Sequence, residues 1–242
     1  MSLRITLATA GRVLTQLRHD PRTLALLLFV PALLLTLLWW LYEGGPVFDQ
    51  IGPALLALFP FVVMFLVTSI ATLRERTSGT LERLLSMPTG KLDLLLGYAL
   101  AFGLLAIVQG LLASGLAIGL LDLDVAGPTW MLIAVAVLDA VLGVALGLFV
   151  SAFASTEFQV VQFMPALVLP QFLLCGLLVA RDEMPDVLSA ISDVLPLSYA
   201  VDAMREVQTN PDPGVWGYAT IIGAFAVGLL ALGAATLRRR TA

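Results

Sequence analysis

Apolar residues in this chain run in blocks separated by short polar stretches, at 24–42, 54–73, 92–121, 129–153, 158–180 and 215–237. A helix of about 20 apolar residues crosses roughly 30 Å of hydrocarbon. Backbone inside lipid must satisfy its own hydrogen bonds, so each block is predicted to be a spanning helix. Strands of a membrane barrel would alternate apolar and polar positions, and these blocks do not. The third block exceeds one membrane thickness and is predicted to tilt or protrude. The fifth holds Pro165 and Pro170, which remove backbone donors and predict a kink or break.

Two stretches outside the blocks also show helical periodicity. In residues 2–18, Leu3, Leu7, Ala10, Leu14 and Leu17 fall on one stripe, with Arg4, Arg12, Gln16 and Arg18 off it. This pattern predicts an amphipathic helix lying in the membrane interface, ended by Asp20-Pro21. Between the fifth and sixth blocks, Met184, Val187, Leu188, Ile191 and Leu195 precede Pro196, and Tyr199, Ala200, Ala203, Met204 and Val207 follow it. Two short amphipathic helices over 183–208 are expected there, either dipping back toward the membrane or forming an ordinary folded external loop. The expected fold class is an all-α integral membrane protein, one transmembrane domain over residues 1–242.

Composition agrees with the pattern: 60% of the 242 residues are hydrophobic and only 12% are charged, about half the share usual for a soluble domain. Charge then orients the chain. Arg4, Arg12, Arg18, Arg22, Arg74, Arg76, Arg83, Lys91, Arg238, Arg239 and Arg240 fall on one side of a six-span arrangement. The positive-inside rule makes that side, with both termini, cytoplasmic. The other side has Arg181 and Arg205 among many acids, including Asp49, Asp122, Asp124, Glu183, Asp193 and Asp202. The net charge of −4 is therefore segregated by side and does not point to nucleic acid. Trp39, Trp40, Tyr42, Trp130, Trp216 and Tyr218 suit interfacial belts. A single cysteine, Cys175, excludes an internal disulfide, and a single histidine, His19, argues against a metal site. No cleavable leader is expected, because the start lacks a short apolar core with a small-residue cleavage site.

The loop after the second block reads Glu75-Arg76-Thr77-Ser78-Gly79-Thr80-Leu81-Glu82-Arg83-Leu84-Leu85-Ser86-Met87-Pro88. Ser78 or Gly79 can cap a helix, Glu82 sits in its first turn, and Leu81, Leu84 and Leu85 share a face. A short amphipathic helix lying crosswise under the membrane is predicted, able to enter a groove on a partner. A local alternative pairs Glu75 or Glu82 with Arg76 or Arg83.

That loop, E-R-x-x-G-T-L-E-x-L-L-x-x-P, resembles the permeases of type-2 ATP-binding-cassette (ABC) exporters, including the daunorubicin-resistance type. Leu195 to Arg205 is similar to their P-x-x-Y-x-x-x-x-x-R stretch, and the likeness covers nearly the whole chain. It implies a transport subunit of a bacterial inner membrane, working as two permease copies with two ABC ATPase subunits. Residues 77–88 would be the coupling helix, with Glu75, Thr77, Gly79, Thr80, Leu81, Glu82, Leu84 and Leu85 at or near the ATPase. ATP and Mg would be held by the partner, since Gly90-Lys91 is followed by Leu92 and the P-loop pattern fails. The implied cargo is a drug, antibiotic or lipid, or alternatively a polysaccharide or glycolipid.

The resemblance also places the second and fifth spans near a two-fold axis. Phe59, Phe61, Phe65, Phe158, Phe163 and Phe172 would then line an apolar cavity, or else face lipid or pack singly, with Gln162 and Gln171 facing a path or the dimer seam. Asp139 is the one carboxylate deep in a span. It either serves substrate or protons, or bonds to Ser114 or Gln109 between helices. Gly143 and Gly147 form G-x-x-x-G, a close-packing pattern. A proton-driven transporter using Asp139 would carry more intramembrane charge and internal repeats. An intramembrane enzyme would need H-E-x-x-H or G-x-S-x-G, and neither is present.

Overall fold

The computed structural model describes residues 2–78 and 91–236, and among them every regular element is a helix. They are α1 (Leu3–Arg18), α2 (Pro21–Leu41), α3 (Pro46–Thr77), α4 (Lys91–Gly119), α5 (Thr129–Ser151), α6 (Glu157–Leu174), α7 (Asp186–Ser192), α8 (Pro196–Thr209) and α9 (Trp216–Thr236). Six of these, α2 to α6 and α9, are long and apolar enough to cross a membrane.

Local sequence explains most boundaries. Asp20 caps α2 by accepting hydrogen bonds from the Thr23 hydroxyl at 2.6 Å and the Thr23 N–H at 3.2 Å. Those bonds hold the Asp20 carboxyl below its ordinary range. Pro21 and Pro46 sit in the first turns of α2 and α3, where no N–H is needed. Glu43 and Gly44 both take positive φ in the tight reversal between α2 and α3. With 32 residues, α3 is the longest helix. At 1.5 Å per residue it outreaches the roughly 30 Å hydrocarbon. It begins eight residues before its apolar block does.

The centre of the bundle is the α3–α5 pair. Gly143 and Gly147 lie against the carbonyls of Phe61 and Phe65, and a Cβ on either glycine would sit 2.4 or 2.7 Å from those oxygens. Both contacts advance by four residues along each chain, so the two helices run parallel in register. The G-x-x-x-G pattern is thus a backbone-to-backbone contact, as its spacing predicts. Around this pair, α2, α6 and α9 are peripheral: each buries only 17% of its span and turns apolar side chains such as Phe29, Phe158 and Val227 outward. Where lipid is the solvent, an apolar outer surface is the expected state.

Two segments differ from their sequence expectation. α6 stays helical through Pro165 and Pro170 but ends at Leu174, six residues short of its apolar block. Residues 175–180 form an irregular strap. In α1 the buried face is Thr6, Thr9, Ala10, Val13 and Leu17, whereas Leu3 and Leu7 are 74% and 56% exposed. The cause is close approach to α4. A Cβ on Gly97 would lie 2.6 Å from the Thr9 Cβ, so only small residues fit between the helices. α1 therefore packs on the bundle with one face and offers Leu3 and Leu7 to its surroundings.

α7 and α8 meet at 90°. α8 is not a loose surface helix: Leu197, Ala200, Val201, Ala203, Met204 and Val207 are fully buried among α3, α5 and α9. Its C-terminal carbonyls are satisfied by the α4–α5 loop, where Gly127 and Ala126 N–H donate to Val207 and Gln208 at 2.9 Å each. A Cβ on Gly127 would fall 2.6 Å from the Val207 oxygen, so this docking requires glycine.

Candidate functional site

The coupling helix that the family resemblance implies would begin at the end of α3. Of its candidate residues, Gly79, Thr80, Leu81, Glu82, Leu84 and Leu85 lie outside the described residues. Thr77 closes α3, with its hydroxyl donating to the Leu73 carbonyl at 3.1 Å. Glu75 is held in a three-helix latch. Arg12 of α1 reaches it with a bidentate fork, Nη1 to Oε1 at 2.9 Å and Nη2 to Oε2 at 2.8 Å. Arg12 Nη2 also donates to the Tyr98 hydroxyl of α4 at 2.9 Å, and that hydroxyl donates to Glu75 Oε2. The guanidinium carbon lies 5.9 Å from the Tyr98 ring centre. Burial works against the charge on Arg12, but its hydrogen bonds to Glu75 and the neighbouring charge hold its pKa above the ordinary value.

The latch is sheltered: its Arg12 and Glu75 side chains are 28% and 15% exposed, against 58% and 50% for Arg74–Glu157. A bidentate pair of this kind is stronger than an open surface pair, whose worth is near zero to 1 kcal/mol. The latch joins α1 to the two helices that flank residues 79–90. The start of α1 is tied to the same helix, because the Ser2 N–H donates to Asp93 at 3.0 Å. Arg76 donates to the Ser151 carbonyl at the end of α5. These contacts tie α1, α3, α4 and α5 together beside the helix ends that flank residues 79–90. Sequence reading paired Glu75 with Arg76 as its local option. The long-range partner Arg12 carries no sequence signal, because 63 residues separate the two.

Beside the latch a cleft of about 510 Å³ opens between α1, α2 and α3. Most of its lining is apolar, including Leu26, Val30, Val63, Leu66, Val67 and Ile70. Gln16, Asp20 and Arg74 line it toward the basic end. An apolar pocket with a few polar groups at one end suits an amphiphile.

The path candidates from sequence do not gather around this cleft. Phe61 and Phe65 are fully buried within the chain, against α5. Phe59, Phe163 and Phe172 pack partly buried on the central core. Gln162 is exposed on α6. Gln171 is buried and structural: it donates to the Leu167 carbonyl at 3.0 Å and accepts from the Leu197 N–H at 3.3 Å, supplying a partner to the first turn of α8. Asp139 is fully buried one turn from Gly143, and neither oxygen has a hydrogen-bond partner among the described residues. Nor does it reach Ser114 or Gln109. The Ser114 hydroxyl is also without a partner, and Gln109 donates to the Leu27 carbonyl at 2.7 Å. A buried carboxylate without donors is costly. Asp139→Asn is therefore expected to raise the melting midpoint of the purified protein by a few degrees. A lower midpoint would show that the carboxylate holds a stabilising partner.

Residues 5–209 match the family model described as ABC-2 type transporter. Over 156 residues, 64% of this chain, it is 26% identical to the probable multidrug ABC transporter permease YbhS of Escherichia coli (strain K12), covering 41% of that protein. It is 25% identical over 155 residues to the probable multidrug ABC transporter permease YbhR of the same strain, covering 42% of it. It is also 24% identical over 159 residues to ABC transporter G family member 20 of Dictyostelium discoideum, covering 22% of that protein. The matched stretch spans less than half the length of each of these curated relatives.

Proposed function

The chain belongs to the ABC-2 type transporter family, and from that membership we propose that it exports a hydrophobic or amphiphilic substrate, a drug, antibiotic or lipid. Its role is that of the membrane transport subunit, and the ATPase is a separate chain. The basic end, with α1 and segment 79–90, faces the cytoplasm of a bacterial inner membrane. Two copies work with two ATPase subunits that bind ATP and Mg. The multidrug permease names of two relatives favour this substrate class.

The observation that carries the substrate class is the cleft beside the latch: a largely aliphatic lining, with polar side chains toward the basic end. A glycan would call for an aromatic-lined groove, and the aromatic residues here are only Tyr98 and Phe102. When the ATPase pair closes, movement of segment 79–90 passes through Glu75 and Arg12 to α1, the wall of the cleft. Rigid elements fixed to a moving socket convert its movement into tilting. The cleft then narrows and the substrate leaves toward the acidic end.

Reconstitution with the ATPase subunit in vesicles tests this reading. ATP should drive movement of a fluorescent lipophilic dye or lipid analogue. Val63→Trp, which fills the cleft, should abolish most of that movement while ATP hydrolysis continues. Transport indifferent to ATP depletion would overturn the reading and favour a proton-driven route through the unpartnered Asp139.

A further inference from the structure

The acidic end holds two arginines, and they differ in how they are satisfied. Arg181 binds both Asp193 and Asp202 and stacks 5.2 Å from the Tyr199 ring centre. Burial pushes the Asp202 carboxyl up, offset only in part by Arg181. That cluster occupies both terminal nitrogens of Arg181, while its buried Nε has no partner among the described residues. Arg205, one turn along α8 from Asp202, is half-buried. Its guanidinium forms no hydrogen bond or ion pair among the described residues. Its nitrogens are not closed off from solvent, so its five donors stay available to an anionic acceptor.

Arg205 lines a cavity of about 470 Å³ roofed by the 175–180 strap. A water molecule takes about 30 Å³ of liquid, so the cavity is far larger than a single ion needs. Gly176 turns the strap with φ +91°, and a side chain there would meet Arg205 Nη1 at 3.4 Å. Glycine thus both permits the turn and leaves the guanidinium uncovered. The N–H groups of Leu178, Val179 and Ala180 donate to no acceptor among the described residues. Gln208 is committed to the Asp49 carbonyl, which leaves Arg205, the strap and the exposed Gln50 amide as donors for an occupant. Glu183 stands in the same cavity, exposed and without an ion pair. Beside it Leu178 and Val179 turn their side chains outward.

We propose that this cavity binds the headgroup of a zwitterionic, ethanolamine-type phospholipid from the leaflet at the acidic end, its phosphate on Arg205 and its ammonium on Glu183. Guanidinium and phosphate match in charge and fork geometry. One cation and one anion in one cavity complement a headgroup carrying both charges, and the exposed Leu178 and Val179 offer acyl chains an apolar seat. The site is independent of what is exported and requires only that the chain spans a bilayer.

The test uses the full chain, purified in a neutral maltoside and titrated calorimetrically. The probes are dihexanoyl phosphatidylethanolamine, dihexanoyl phosphatidylglycerol and inorganic phosphate, each lipid below its micelle concentration. The ethanolamine lipid should bind tightest. Arg205→Ala should weaken it about tenfold or more, the loss of one charge-assisted contact. Arg205→Lys, which keeps the charge, should fall between. Glu183→Gln, at an exposed position that spares the fold, should weaken the ethanolamine lipid to the level of the glycerol lipid and leave the latter unchanged. Unaltered binding by Arg205→Ala overturns the site. Inorganic phosphate binding as tightly as the lipid overturns the lipid as its ligand, and an unaffected Glu183→Gln overturns the ammonium contact.

Discussion

Gly143→Val should leave no folded protein to purify. A Cβ at position 143 lies 2.4 Å from the Phe61 oxygen and 3.1 Å from that residue's carbonyl carbon and Cα. These are backbone atoms in the middle of the longest helix, so no rotamer change relieves the clash. The only escape is to part α3 from α5, and that seam holds the fully buried Phe61, Phe65, Leu132 and Leu142. Overpacking a tight core typically costs about 1–3 kcal/mol, and more where the backbone itself must move. Gly143→Ala should survive with a lowered melting midpoint. Gly147→Ala should resemble it, because its Cβ would meet the Phe65 oxygen at 2.7 Å. Size-exclusion profiles of fluorescent fusions, read before and after heating, measure both. An unchanged midpoint for Gly143→Ala would show that the helices are not in backbone contact.

Breaking the latch should separate hydrolysis from transport. Arg12→Ala and Glu75→Ala each strand a sheltered charge and free α1 from the helix ends beside segment 79–90. A coupling of 1–3 kcal/mol corresponds to about 5- to 150-fold, so export per ATP hydrolysed should fall by about tenfold or more. Under the proposed function, hydrolysis by the ATPase subunit should continue at a comparable rate. The double variant should be scarcely worse than either single one, since both remove the same interaction. Tyr98→Phe keeps the ion pair and should lose less. Fully additive losses, or normal export by Arg12→Ala, would show that the latch does not transmit movement.

The glycine seam and the latch differ in how far the chain alone reveals them. G-x-x-x-G was visible in the chain because small residues at four-residue spacing have few other uses in a span. The latch was not visible. Arg12, Glu75 and Tyr98 stand on three helices, and nothing within any one of them marks the other two.

The same division runs through the whole protein. Hydrophobic block length determined six candidate spans, because lipid leaves the backbone only the helix. Periodicity determined α1, α7 and α8 to within a few residues, and the loop motif led to the ABC-2 family that residues 5–209 match. What tertiary structure decided was which face each helix buries. Apolar residues suit lipid and core alike, so composition could not tell that Phe61 and Phe65 pack inward while Phe29 and Phe158 face out. Nor could it tell that α1 would bury Thr6 and Thr9 and expose Leu3 and Leu7. Those choices follow from steric fit at Gly97, Gly143 and Gly147, where backbones approach closely. Two charged sites, the Arg12 latch and the open Arg205 cavity, follow from the same packing: each depends on residues that only the folded bundle brings together.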